Sequence, residues 1–277
     1  MKMDGGLVEH RREIIGHVNG KVIKKRKVRR RSSSSSITPS KSLQRLYSFC
    51  KQVFKGPGIV PASQDVQNLC HILDSLRPED FGLSKDLQFF KPGGSVKRNP
   101  RVTYTTVYKC RQFSLVIFFL PASAVIPLHN HPEMTVFNKL LLGEMHIKAY
   151  DWADPLDVEC SNQPSSKRLA RLKANSVFTA PCNTSVLYPT SGGNIHEFTA
   201  ITPCAVLDIL GPPYSKEDGR DCSYYKEILS TSPDEEFEEL KDDEHSYGWL
   251  EEIEMPENSK MDGIEYLGPR IIETAAS

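Results

Sequence analysis

The sequence predicts a mainly β protein, a sandwich or small barrel of short strands led in by two short helices. The first observation is a succession of β-rich runs from about residue 101 onward: 102–110, 113–120, 134–142, 144–152, 168–180, 185–188, 196–201 and 205–210. The second is that turns rich in Gly, Pro, Asn or Asp separate many of these runs, with no long helix between them. Such spacing belongs to sandwiches and barrels. The third is a change of period, because residues 41–54 and 63–76 read as helix.

Taken in order, Leu43, Leu46, Phe49, Cys50, Val53 and Phe54 recur at helical spacing across 41–54, and Gly56-Pro57-Gly58 ends that helix. A second helix begins near Ser63, whose hydroxyl suits an N-cap, and carries Val66, Leu69, Cys70, Leu73 and Leu76. Neither helix holds a chemical constellation, so both are expected to pack against the main domain. After Tyr225 the chain turns acidic. Residues 234–254 hold eleven Asp/Glu against one lysine, which reads as a solvated loop and edge.

With 277 residues, 39% hydrophobic and 25% charged, the chain fits one substantial domain plus tails. We divide it into a basic tail over 1–38, a main domain over 39–270 and a short tail over 271–277. No apolar run approaches the roughly 20 residues of a membrane span. Ile14 and Ile15 sit among charges, so no signal-peptide core and no membrane partner are expected. The seven cysteines (Cys50, Cys70, Cys110, Cys160, Cys182, Cys204, Cys222) show no CxxC pairing, and are expected to be reduced thiols of an intracellular protein. The net charge of zero hides an asymmetry. Residues 1–36 carry eleven Lys/Arg and three acids, a net +8, so the remainder carries −8. The run Lys24-Lys25-Arg26-Lys27-Val28-Arg29-Arg30-Arg31 leads straight into Ser32 to Ser36. Such a segment buries too little apolar surface to order itself, and reads as a nuclear-import signal. Residence in nucleus and cytoplasm is expected. The acidic remainder argues against stable nucleic-acid binding.

The chemistry begins at Pro127-Leu128-His129-Asn130-His131-Pro132. In a strand, residues i and i+2 share a face, so His129 and His131 aim two imidazoles at one point and open a metal site. The third donor is expected to be His196, whose parity partners Phe198 and Ala200 are apolar, as a barrel interior requires. Glu133 is a competing carboxylate by parity, although Pro132 should interrupt the strand before it. His146 shares parity with Glu144 and Lys148 and is assigned to a solvated face; His71 lies on a helix, and His10, His17 and His245 lie among charges. Asp208 stands alone in the apolar run Ala205-Val206-Leu207-Asp208-Ile209-Leu210. A buried carboxylate is costly unless paired, so Asp208 either holds a substrate ammonium, orients a ligand histidine, or bonds to backbone in the wall. Tyr214 follows the rigid turn Gly211-Pro212-Pro213, which would fix a phenol at the barrel mouth, and Cys222 lies nearby in sequence.

The two histidine segments resemble the two motifs of the cupin superfamily. In the first, His129-x-His131 is followed by a closing Gly143, but Thr135 or Val136 stands where the motif expects glutamate. The second resembles Pro189-Thr190-Ser191-Gly192-Gly193-Asn194-Ile195-His196, a glycine-rich turn delivering one histidine to a strand. Without the glutamate, three neutral imidazoles leave a ferrous ion its full positive charge, which favours an anionic thiolate as co-ligand.

In finer detail the chain resembles the plant cysteine oxidases and their relative, animal cysteamine dioxygenase. The resemblance is carried by Pro127 to Phe137, by Met145-His146-Ile147-Lys148-Ala149-Tyr150-Asp151-Trp152, by Asn194-Ile195-His196-Glu197-Phe198 and by Leu207-Asp208-Ile209-Leu210-Gly211-Pro212-Pro213-Tyr214. It spans about residues 40–270 and leaves the basic tail outside. It implies a cupin double-stranded β-helix, a jelly-roll barrel with short N-terminal helices. It implies Fe(II) on His129, His131 and His196, with Asp208 and Tyr214 in catalysis and Asp208, Tyr214 and Cys222 around the substrate. The implied reaction uses O2 to oxidise the N-terminal cysteine of proteins to its sulfinic acid. The implied protein substrates are group VII ethylene-response transcription factors, whose oxidised N-termini enter the N-degron pathway, which would make the enzyme an oxygen sensor in the hypoxia response. A monomer is expected. The alternatives are a dioxygenase of small thiols, cysteamine or free cysteine, and a catalytically silent metal-binding cupin.

Overall fold

The structure, a computed structural model, describes residues 40–84, 101–153, 167–228 and 246–273. The basic tail, His10, His17, His245 and the first part of the acidic run lie outside the described residues. Ile37–Ser277 forms one compact unit and is described by itself.

The helices come first, as α1 (Lys41–Val53) and α2 (Ser63–Ser75). Ser40 caps α1 by accepting the Leu43 N–H (3.2 Å). Ser63 is not a cap, contrary to expectation. It is the first helical residue, and the N-cap is Ala62, whose side chain has no acceptor. The strands then follow as β1 (Thr103–Lys109), β2 (Ser114–Leu120), β3 (Val125–His129), β4 (Thr135–Leu142), β5 (Glu144–Trp152) and β6 (Lys167–Thr179). They continue with β7 (Ser185–Leu187), β8 (Ile195–Ala200), β9 (Cys204–Gly211), β10 (Tyr224–Ile228), β11 (Tyr247–Ile253) and β12 (Asp262–Gly263). Every run predicted from the sequence is a strand.

The strands make two six-stranded sheets, one in the order β12-β1-β2-β9-β4-β7 and one in the order β10-β11-β6-β5-β8-β3. The second curls until its two ends meet, Tyr224 of β10 facing His129 of β3. Both faces of the first sheet are covered, so its central strands Ser114–Leu120 and Cys204–Gly211 are almost wholly buried and read as continuous apolar runs. One face carries Leu115, Ile117, Phe119, Leu207 and Ile209, which pack under Leu43, Leu46, Leu69 and Leu73 of the helices. The other face turns Leu120, Leu140 and Val206 toward Ile126, Met145 and Phe198 of the second sheet. Lys139, only 4% exposed on the helix side of β4, is held by Asp74 of α2 (2.8 Å) and the Cys182 carbonyl (2.5 Å). Its charge is therefore paired, as burial requires.

Two expectations need correction here. Residues 247–253 were assigned to the acidic exposed edge, yet they form β11, which pairs with both β10 and β6 and buries Leu250 completely. The acids of this run obscure its alternation, because Glu252 stands exposed on the parity of the buried Gly248 and Leu250 while Glu251 is half-buried; Glu251 pairs with Lys226 (2.7 Å). Consequently the face of β5 assigned to solvent is covered beyond His146. Lys148 pairs with Glu227 of β10, and Tyr150 is buried and donates to Glu227 (2.7 Å). His146 itself bonds Asn175 on the neighbouring strand (2.8 Å), and His71 is exposed. At the C-terminal end, the Ile272 peptide exchanges hydrogen bonds of 2.9 Å with the Gln44 side chain, so the chain is still docked on α1 past residue 270.

Candidate metal centre

His129 and His196 are direct cross-strand partners on β3 and β8. On one face of an antiparallel pair, opposed side chains lie within contact distance. His131 reaches the same point by another route. β3 ends at His129, so the parity expected to carry His131 stops short of it. Pro132 cannot donate to a ladder, and the chain turns so that Met134 N–H bonds the His131 carbonyl (3.3 Å). Asn194 replaces the missing strand partner: its Oδ1 accepts the His131 N–H (3.1 Å), while its Nδ2 donates to the carbonyls of His131 (2.9 Å) and Tyr188 (2.7 Å). Glu133, the competing carboxylate, is exposed at φ 55° in that turn and is not among the converging donors.

The three rings form a nearly equilateral triangle, with centroids 5.0, 4.7 and 4.9 Å apart. Their ligand nitrogens all lie within 4.8 Å of one another, which among the described residues is the one such convergence of His, Cys, Asp or Glu. Burial holds all three imidazoles below the ordinary histidine pKa, so they are neutral at pH 7. Each Nδ1 has an oxygen partner. His129 Nδ1–H donates to the Pro127 carbonyl (2.8 Å), and His196 Nδ1 lies 3.4 Å from the Gly193 carbonyl. The Tyr214 hydroxyl donates to the Asn130 carbonyl (2.8 Å), so its oxygen can only accept from His131 Nδ1 (2.8 Å). With Nδ1 protonated, every Nε2 carries a lone pair. His131 and His196 bring these to 3.4 Å of each other, an arrangement that a cation between them stabilises. The donor set fits a divalent transition metal.

A single carboxylate supports this assembly from behind. Asp151 accepts the N–H groups of Gly192 (3.0 Å), Gly193 (2.8 Å) and Asn194 (3.0 Å). Gly193 sits at φ 84°, and a Cβ there would come within 2.8 Å of the Ala149 side chain, so the turn requires glycine. Asp151 thus orders the turn that positions Asn194 and, through the Gly193 carbonyl, His196.

The metal face opens on a cavity of about 420 Å³ between the two sheets. Asp208 of β9 lines it and is only 4% exposed. Desolvation pushes its carboxyl up to about 7, against the lowering effect of the Asn138 amide that donates to it (2.7 Å). Asp208 therefore bonds a side chain on β4, its register partner, and not the backbone. Tyr214, expected at the mouth, is half-buried on the cavity wall with its hydroxyl against His131. Cys222 also lines the cavity, beside Tyr214 and Tyr224, and burial pushes its thiol up to about 11, so it stays protonated at pH 7. Sequence reasoning missed Asn194, Asp151 and Asn138. The signal that flagged Asp208, a polar residue in an apolar strand, was also present at Asn138 in Thr135–Leu142.

Fold and site together define a metal-binding cupin, in which two sheets enclose three convergent histidines. The PCO_ADO family profile matches residues 72–271, and the chain belongs to that family. It is 46% identical to Plant cysteine oxidase 1 of Arabidopsis thaliana, over 88% of this chain and 85% of that one. It is 31% identical to 2-aminoethanethiol dioxygenase of Mus musculus, over 76% of this chain and 86% of that one. Among solved structures, a cupin protein from Desulfovibrio desulfuricans is similar at 19% identity, covering 44% of this chain and 97% of that one with a TM-score of 0.28.

Proposed function

We propose that the protein is a non-haem Fe(II) thiol dioxygenase acting on the N-terminal cysteine of polypeptides. The observation that carries this reading is a donor set of three neutral, buried imidazoles with no carboxylate among them, facing a cavity that holds Asp208. Held there, Fe(II) would lower the pKa of a coordinated thiol and bring sulfur beside O2. His129, His131 and His196 hold the ion, and their neutrality leaves its charge available to a thiolate. Asp208, ionised, receives the substrate ammonium; its burial makes that pairing strong and disfavours a substrate carboxylate at the same place. Tyr214 keeps the His131 proton on Nδ1. Cys222, a protonated thiol on the cavity wall, contacts substrate without competing for the metal. The overall step adds both atoms of O2 to the thiol to give the sulfinic acid, oxidising sulfur by about four electrons without another reductant.

Group VII ethylene-response transcription factors are the protein substrates we infer, with O2 sensing through the N-degron pathway as the output; similarity to the plant cysteine oxidases supports both. The basic tail supports residence in the nucleus as well as the cytoplasm. A fusion lacking residues 21–31 should shift toward the cytosol, and unchanged partitioning removes the import signal. The reaction is tested by anaerobic reconstitution with Fe(II), then exposure to O2 with a Cys-initiated peptide and with cysteamine. Mass spectrometry should show both oxygen atoms gained on sulfur. No product from either, with iron verified in the site, overturns the reading.

A further inference from the structure

Among the described residues, the outer edge of β1 is open where it borders the cavity beside the three histidines. β12 covers only the start of that edge, running parallel to β1 and matching Thr103 with Asp262 and Tyr104 with Gly263. Asp262 N–H donates to the Val102 carbonyl (3.2 Å) and Ile264 N–H to the Tyr104 carbonyl (2.8 Å). Val102 and Tyr104 therefore turn their peptide groups outward, away from β2. Alternation along a strand carries the same direction to Thr106, which faces Val116 on β2 just as Tyr104 faces Phe118. Among the described residues nothing bonds the N–H or carbonyl of Thr106. The side chains of Tyr104 and Thr106 line the cavity that contains His129, His131 and Asp208. The open edge and the metal site thus share one wall.

We propose that the chain following the N-terminal cysteine of a polypeptide substrate adds to this edge as a short strand, one of its residues exchanging both backbone bonds with Thr106. The proposal rests on the reading of the site as an N-terminal cysteine dioxygenase. Strand addition reads main chain and tolerates varied side chains. It also gives a peptide a hold that a small thiol lacks. A second copy of this chain fits the edge poorly. A bulge between Thr106 and Tyr108 interrupts the ladder, and the exposed Lys109 lies just beyond it; both devices blunt edges against sheet-to-sheet pairing. What stays open is long enough for one residue of a partner strand.

The test uses full-length Fe(II) protein and six-residue Cys-initiated peptides in which one amide at a time becomes an ester. Residues of a paired strand alternate between bonding and facing away, so one linkage should raise KM about tenfold while its neighbours stay within about twofold. A flat scan overturns the proposal. Thr106→Pro removes the outward donor and is compatible with an edge whose N–H faces solvent; Thr106→Ala controls for the side chain. The ratio of kcat/KM for peptide over cysteamine should be about tenfold lower in Thr106→Pro than in Thr106→Ala. Binding of a fluorescent Ser-initiated peptide, which cannot be oxidised, should weaken by the same factor. Equal behaviour of the two variants overturns strand addition, as does a dimer that Thr106→Pro dissociates. If the wild type oxidises neither thiol, the functional reading falls, and the Ser-peptide still reports on the edge.

Discussion

Asp208 concentrates the chemistry that single residues supply. Its carboxyl is pushed up to about 7 by burial, far above the 3.8 of an unperturbed aspartate. In the metal-free protein the folded state therefore holds a proton that the unfolded chain has lost. Stability should fall as pH rises from near 4 to about 7 and then level off, by up to about 4 kcal/mol. Asp208→Asn should abolish that slope, measured by urea unfolding at pH 4, 5.5 and 8. The same variant, loaded with iron, should turn over a Cys-initiated peptide at least about tenfold more slowly, because the ammonium loses its partner. Unchanged turnover with iron bound removes Asp208 from the mechanism. Tyr214 acts one contact further out. Tyr214→Phe takes away the acceptor of His131 Nδ1–H and should weaken metal binding about tenfold. A competition titration with a chelator of known affinity reads this directly, and an unchanged constant excludes the hydroxyl from holding the ligand.

Elements, not single residues, decide how the ligands meet. β3 and β8 place His129 and His196 opposite each other, and the glycine turn before β8 carries Asn194 to the peptide of His131. Asn194→Ala would strand the buried His131 N–H and leave the His131 carbonyl with the Met134 N–H alone, an expensive loss. Metal affinity should fall by about ten- to a hundredfold, with the Co(II) ligand-field spectrum shifting as the geometry loosens. A spectrum and affinity like the wild type would show that the turn after His131 holds itself. At the far end of β9 the helices take part. A Cβ on Gly211 would come within 2.1 Å of the Phe54 ring, so the residue that caps α1 at its C-terminus presses directly on the strand end from which Pro212, Pro213 and Tyr214 depart.

At the scale of the molecule the first sheet is a partition. The helices cover one side of it, and the other side, with the second sheet, encloses the cavity. A metal bound only by the folded arrangement stabilises that arrangement by mass action, about 2.7 kcal/mol at a hundredfold excess over Kd. Chelation should therefore lower Tm by several degrees, and calorimetry with and without Fe(II) checks it. A His196→Ala variant should show no such difference.

The alternation of runs, the helical spacing ahead of them and the His129-x-His131 pair were all visible in the chain, because a strand or helix imposes its period on local sequence. Asp208 was visible for the same reason, as a charge where the pattern demands apolar side chains. The position of His131 was not, since its support comes from Asn194, far along the chain, and such a bond leaves no local period. β11 was obscured because its acids mask its alternation. Periodicity tells which residues share a face, but only the folded chain decides what covers that face. So the sequence by itself determined which histidines would converge and the kind of fold. The tertiary structure decided the tautomers, the closure of the second sheet and, among the described residues, the open edge beside the three histidines, all of which depend on groups brought together from distant parts of the chain.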